Sequence, residues 1–131
     1  MILSIDLGQR TTGIAISEGQ LASPYTTIRH KSINEAVVKV NQICKELNVS
    51  TVVLGVVEGK IRSLFENFAK LLNSQNPEIK IIFWDETLTS RQAIDTMIKL
   101  QVPKKKRGAK EHEVAASIIL QSYLDSSSVS S

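Results

Sequence analysis

The sequence predicts an α/β protein with a mixed sheet flanked by helices, and three observations predict it. Residues 2–28 hold three short apolar runs separated by polar turns, the pattern of an antiparallel meander. Two later apolar runs, 51–55 and 79–84, alternate with stretches of helical periodicity, as in strands joined by helical crossovers. The length, 131 residues of which 42% are hydrophobic, suits one domain with a real core. The expected order is β-β-β-α-β-α-β-α-α, in a single domain over residues 1–125, followed by a serine-rich disordered tail over 126–131.

Each element has its own signal. Ile2, Leu3 and Ile5 form an apolar run that ends at Asp6; 8–12 form a polar, glycine-containing turn, and 13–16 return as a second strand. The third strand is LASPYTTI, 21–28. Pro24 lacks an N–H and belongs at a sheet edge. Ser32 with Glu35 is a capping box, and Ile33, Val37, Val40, Ile43, Cys44 and Leu47 follow at helical spacing. TVVLG, 51–55, is apolar without alternation, which suits a strand buried on both faces between parallel neighbours. A second helix over 61–72 puts Ile61, Leu64, Phe65, Phe68, Leu71 and Leu72 on one face. After a polar loop, IKIIFW, 79–84, is a further buried strand that runs into Asp85 and Glu86. Thr89-Ser90-Arg91-Gln92 is a second capping box for a helix reaching Leu100. Pro103 and a basic run make a loop, and 110–124 is the final helix.

Composition narrows the function classes. Mean hydropathy is −0.02 and no apolar run approaches the ~20 residues of a membrane span, so no membrane partner is expected. Strand pattern begins at Ile2 with no basic flank or cleavage site, so no secretion signal is expected either. The single cysteine, Cys44, has no internal partner and sits among helix-patterned residues as a small buried hydrophobe. Together these features predict a cytoplasmic protein. Net charge is only +3, but Lys104, Lys105, Lys106, Arg107 and Lys110 crowd into seven positions.

Three residues carry candidate chemistry. Asp6 ends an apolar strand, where a carboxylate is costly unless compensated, and a divalent cation is a usual compensation. Its alternative is a turn residue that bonds its own backbone. Glu86 likewise follows an apolar strand; its alternative, with Asp85, is to cap the next helix. Adjacent residues of an extended chain point opposite ways, so only one of the two acids can join Asp6. On the last helix, a 100° projection puts Ala115, Ala116, Ile119 and Tyr123 on one side, with His112 among them, one turn from the helix start. Glu113, Ser117 and Gln121 form a polar stripe opposite, with Glu113 towards solvent. A histidine on an apolar face is a satisfied core residue or a ligand. The basic loop is a solvated connector or a phosphate contact, and Arg10 in the first turn is a further candidate contact. No aromatic residues interleave with the basic loop, so base stacking is not suggested.

I-D-L-G-x-x-x-x-G-I-A-I-S, then L-A-S-P, V-x-G-V before position 57, W-D-E-x-L-T-S, K-K-K-R and A-A-S-I-I-L-Q-S-Y-L occur in order along nearly the whole chain. In this the sequence resembles the YqgF family, also called RuvX. The resemblance implies a ribonuclease H-like fold, related to the resolvase RuvC. It also implies a nuclease that matures the 5′ end of pre-16S rRNA, with Holliday junction resolution as the alternative activity. Asp6 and Glu86 would be the catalytic acids, holding two Mg2+ or Mn2+ ions against the scissile phosphate. The chain departs from the family in three places. His112 stands where an aspartate is usual, Thr87 where an arginine follows the D-E pair, and 55–60 is shorter than the usual G-L-P loop with its M-D-G extension. His112 would then be a third ligand favouring Mn2+ over Mg2+, or a proton shuttle, and Glu58 a compensating acid. The expected partner is nucleic acid, structured RNA or branched DNA, acted on by a monomer or weak homodimer. A non-catalytic nucleic-acid-binding relative is the alternative from another class. D-L-G-x-x-x-T-G also resembles the phosphate loop of sugar kinases, but such folds need two domains and this chain has room for one.

Overall fold

A computed structural model describes residues 1–57, 62–100 and 111–129. Strands β1 (Ile2–Leu7) and β2 (Thr11–Ser17) form the expected hairpin, with Leu3 opposite Ile16 and Asp6 opposite Gly13. β3 (Ser23–Arg29) adds antiparallel to β2 and is an edge strand, as Pro24 requires. α1 (Ile33–Glu46) leads into β4 (Thr51–Val56), parallel to β1, and α2 (Arg62–Gln75) into β5 (Lys80–Asp85), parallel to β4. The sheet order is β3-β2-β1-β4-β5. A single 3-10 turn, Glu86–Leu88, joins β5 to α3 (Arg91–Lys99), and α4 (Glu111–Val129) closes the described fold.

The core has two layers because neighbouring strand residues face opposite ways. Leu3, Ile5, Ile14, Val52 and Leu54 pack against Val37, Val40, Phe65, Phe68 and Leu72 of α1 and α2. Ala15 and Val53 pack on the other face with Met97, Ala116, Ile119 and Leu120 of α3 and α4. Val52 and Val53 thus serve different layers, which is why the 51–55 run shows no alternation.

Several expectations need correction. β5 is not buried: it is the second edge, none of its residues is buried, and Phe83 is 47% exposed. The cap of α3 is Ser90, which accepts from the Ala93 N–H; with alanine at that third position the box cannot close. At α1, Ser32 does accept from the Glu35 N–H, but Glu35 accepts from Lys31, one residue earlier than in a capping box. α4 continues to Val129, through most of the expected tail; no glycine or proline lies between 111 and 131 to stop it.

The polar stripe of α4 is not a solvent face. Ser117 and Gln121 are buried. Gln121 accepts from the Ala22 N–H through Oε1 and donates to the Gln20 carbonyl through Nε2. Glu113 accepts from the Thr27 hydroxyl. A helix laid over the backbone of the β2–β3 connection needs polar side chains there, because buried N–H and C=O groups must be paired. No helix among the described residues is long and apolar enough to cross a membrane.

Candidate active site

Asp6 lies near the C-terminal end of β1, directly opposite Gly13 on β2. The first turn of α4 crosses the sheet at that point. A Cβ on Gly13 would stand 2.0 Å from the carbonyl carbon of His112 and 2.1 Å from its oxygen. Only a residue without a side chain lets the helix lie this low. The helix is pinned on both sides: Ser4 Oγ, two residues before Asp6 and on its face, donates to the Ala116 carbonyl at 2.7 Å. Thr27 Oγ1 donates to Glu113 Oε2 at 2.9 Å. Farther along, Gly55 admits the tip of Ile119. With α4 held so, His112 Nδ1 comes within 2.9 Å of Asp6 Oδ2.

An ionised carboxylate only accepts, so Nδ1 carries the hydrogen of this bond, and in the neutral ring Nε2 keeps its lone pair. The pair is half-buried, with the Asp6 side chain 18% exposed and that of His112 37%. Asp6 Oδ1 has no hydrogen-bond partner among the described residues. These donors suit a divalent cation. The bond to Nδ1–H leaves Asp6 Oδ1 and His112 Nε2 as the atoms that would face an ion.

The structure brings together Asp6 and His112; it does not gather Glu86 with them. Asp85 ends β5 and caps the following turn, accepting from the Thr87 N–H at 2.9 Å, and this bond holds its carboxyl below the usual range. Glu86, half-buried, opens that turn. β1, β4 and β5 are parallel and end on the same side of the sheet, so Glu86 shares that side with Asp6 but lies two strands away and two residues beyond its row, about 12 Å at ~4.8 Å per strand and ~3.4 Å per residue. Among the described residues, no group of three His, Cys, Asp or Glu side chains is placed to hold a metal ion. Arg10 is exposed in the β1–β2 turn. Lys104, Lys105, Lys106, Arg107, Lys110 and Glu58 lie outside the described residues.

Sequence reasoning missed Gly13, which sets the height of the helix carrying His112. A glycine inside a strand pattern is itself a signal of close backbone approach. It also missed Thr27 and Ser4, two polar residues on apolar strands that face α4.

A family model described as RuvX, Holliday junction resolvase, matches residues 1–126. A protein of Clostridium acetobutylicum named "Putative pre-16S rRNA nuclease" is 35% identical over 132 residues, covering 95% of this chain and 98% of that protein. A protein of the same name from Clostridium botulinum strain Hall is 37% identical, covering 95% and 96%. Among solved structures, Thermus thermophilus RuvC in complex with Holliday junction substrate superposes with a TM-score of 0.72 at 9% identity, covering 99% of this chain and 96% of that one. Fowlpox virus resolvase with Holliday junction DNA gives 0.63 at 16% identity, covering 95% and 97%. At such identities the likeness concerns the fold, which is the ribonuclease H-like fold of these resolvases.

Proposed function

The chain belongs to the RuvX family, and on that premise we propose that it is a divalent-metal-dependent nuclease that processes the 5′ end of precursor 16S rRNA in the cytoplasm. The observation that carries the reading is the contact between Asp6 and His112 at the C-terminal end of β1. A half-buried carboxylate whose neighbour among the described residues is an imidazole rather than a lysine or arginine keeps its affinity for cations. Asp6 and His112 would hold the metal, with Glu86 the candidate further acid. A bound Mg2+ or Mn2+ would supply charge stabilisation at the scissile phosphate and a more acidic water.

The chain's own residues do the rest. Asp6 fixes the His112 ring through Nδ1–H, which leaves Nε2 either to bind the ion or, in its place, to take or give a proton at the reacting phosphate. Gly13, Ser4 and Thr27 hold the helix that carries it. Arg10 and the 104–110 lysines and arginines would contact flanking phosphates, which positions the strand without reading its bases.

A second reading, resolution of four-way junctions, is favoured by the fold shared with two resolvases determined with junction DNA. One experiment tests both. Labelled single-stranded RNA, a pre-16S-type RNA and a four-way DNA junction are each incubated with the protein in Mg2+ or in Mn2+, beside Asp6→Asn. Metal-dependent cutting lost in Asp6→Asn establishes the nuclease, and the substrate cut fastest decides between RNA processing and resolution. Binding without cutting in either metal rejects the catalytic reading.

A further inference from the structure

We propose that Arg29, together with Arg10, forms a phosphate clamp that carries the nucleic-acid backbone from Asp6 across the β2–β3 side of the sheet. This rests on the nuclease reading and says where its substrate lies. Arg29 ends β3 opposite Thr11. Thr27, two residues earlier, bonds Glu113 on α4, and residues two apart on a strand share a face. Arg29 therefore lies on the face that carries Asp6, beyond the first turn of α4. Asp6, Gly13 and Thr27 stand in one line across three strands. At ~4.8 Å between strands and ~3.4 Å per residue, the Cα atoms of Arg29 and Asp6 are about 12 Å apart.

The backbone beneath both arginines is held as one unit. The His30 N–H donates to the Arg10 carbonyl at 2.9 Å. Lys39 Nζ donates to the Arg29 carbonyl at 2.6 Å. Thr12 Oγ1 and His30 Nε2, both in buried residues, meet at 2.7 Å. Side-chain charge is treated differently. Of the arginines among the described residues, Arg62 and Arg91 each pair with a carboxylate one helical turn away. Arg10 and Arg29 are exposed, and neither has a carboxylate partner among the described residues. The acid on that face of α4, Glu113, is engaged by Thr27. Two unneutralised guanidinium forks on a fixed backbone beside a carboxylate–imidazole pair suit the regularly spaced phosphates of a polyanion.

The test measures binding of fluorescently labelled single-stranded RNA and of a four-way DNA junction across a range of KCl concentrations. It uses Asp6→Asn protein, so that nothing is cut. To it are added Arg29→Gln, Arg10→Gln with Arg29→Gln, or Arg29→Lys. Each lost phosphate contact makes the slope of log K against log salt shallower by about 0.7 for a single strand or about 0.9 for duplex DNA. The double variant should lose roughly twice that, and Arg29→Lys should keep the parent slope. An unchanged slope in the double variant, beside a salt-dependent parent, overturns the clamp and leaves the nuclease reading standing. A parent that binds neither nucleic acid overturns both.

Discussion

His112 and Asp6 are 106 residues apart in the chain, yet their side chains meet at 2.9 Å. The contact makes the imidazole a neighbour of Asp6, the acid near the C-terminal end of β1. Imidazole binds Mn2+ better than Mg2+, whereas carboxylates suit either ion. Cleavage should therefore be faster in Mn2+ than in Mg2+. His112→Asp, which installs the family's usual residue, should shift that preference towards Mg2+. His112→Ala should lower the rate on the order of 10²-fold, the range for loss of a general acid or base or of a metal's supporting group. Equal rates in both metals for the parent, unchanged by His112→Asp, would remove His112 from the metal site.

Gly13 is where the sheet and the site constrain one another. A methyl group there meets the backbone of His112 at 2.0 Å, and a helix backbone cannot step aside locally. Gly13→Ala should lift the first turn of α4, cost roughly 1–3 kcal/mol of stability as overpacking does, and abolish the Asp6–His112 contact. Gly55→Ala is the control. Its Cβ would meet the mobile tip of Ile119 at 2.6 Å, so it should melt lower while keeping more activity. Thermal midpoints and cleavage rates of the two variants, measured together, decide the point. Full activity in Gly13→Ala would show that His112 need not sit where it does.

Cys44 is the only cysteine and is buried in the α1–α2 layer. Burial pushes its thiol up to about 12, so almost no thiolate exists near neutral pH. A thiol reagent should label the native protein only as fast as it opens, and at once in denaturant. Rapid labelling of the native protein would contradict the packing of α1 on the sheet.

Most of the fold was legible because its signals are local. Periodicity, Ser32 and Pro24 each act within a few residues. The errors came where tertiary context decides. Nothing in IKIIFW says that no strand lies beyond it, so its apolar character suggested an interior strand and β5 became an edge. The Gln121 amide read only as part of a polar stripe because the loop backbone it satisfies lies about 100 residues away in sequence. At the site, Asp6 and His112 were found from strand ends and helix phase. Glu86 was singled out by the same strand-end argument and by the resemblance; the fold sets it at the end of a strand two away from that of Asp6.

His30 provides a stability signature of the same hairpin. It is 3% exposed, and burial is the largest influence on its ring, lowering its pKa from 6.5; Glu35 opposes this and Lys39 adds to it. The folded protein thus prefers the neutral ring, and the unfolded chain binds the proton more readily. Stability is then complete above pH 6.5 and falls as pH drops below that value. Urea midpoints on either side of pH 6.5 should show this decline in the parent and a smaller one in His30→Gln. Thr12→Val, which leaves Nε2 without its hydroxyl partner, should cost roughly 1–3 kcal/mol at neutral pH. A parent and a His30→Gln variant with the same pH dependence would mean that His30 is already solvated in the native state, and that the β1–β2 turn is held by the His30 N–H to Arg10 bond without help from the ring.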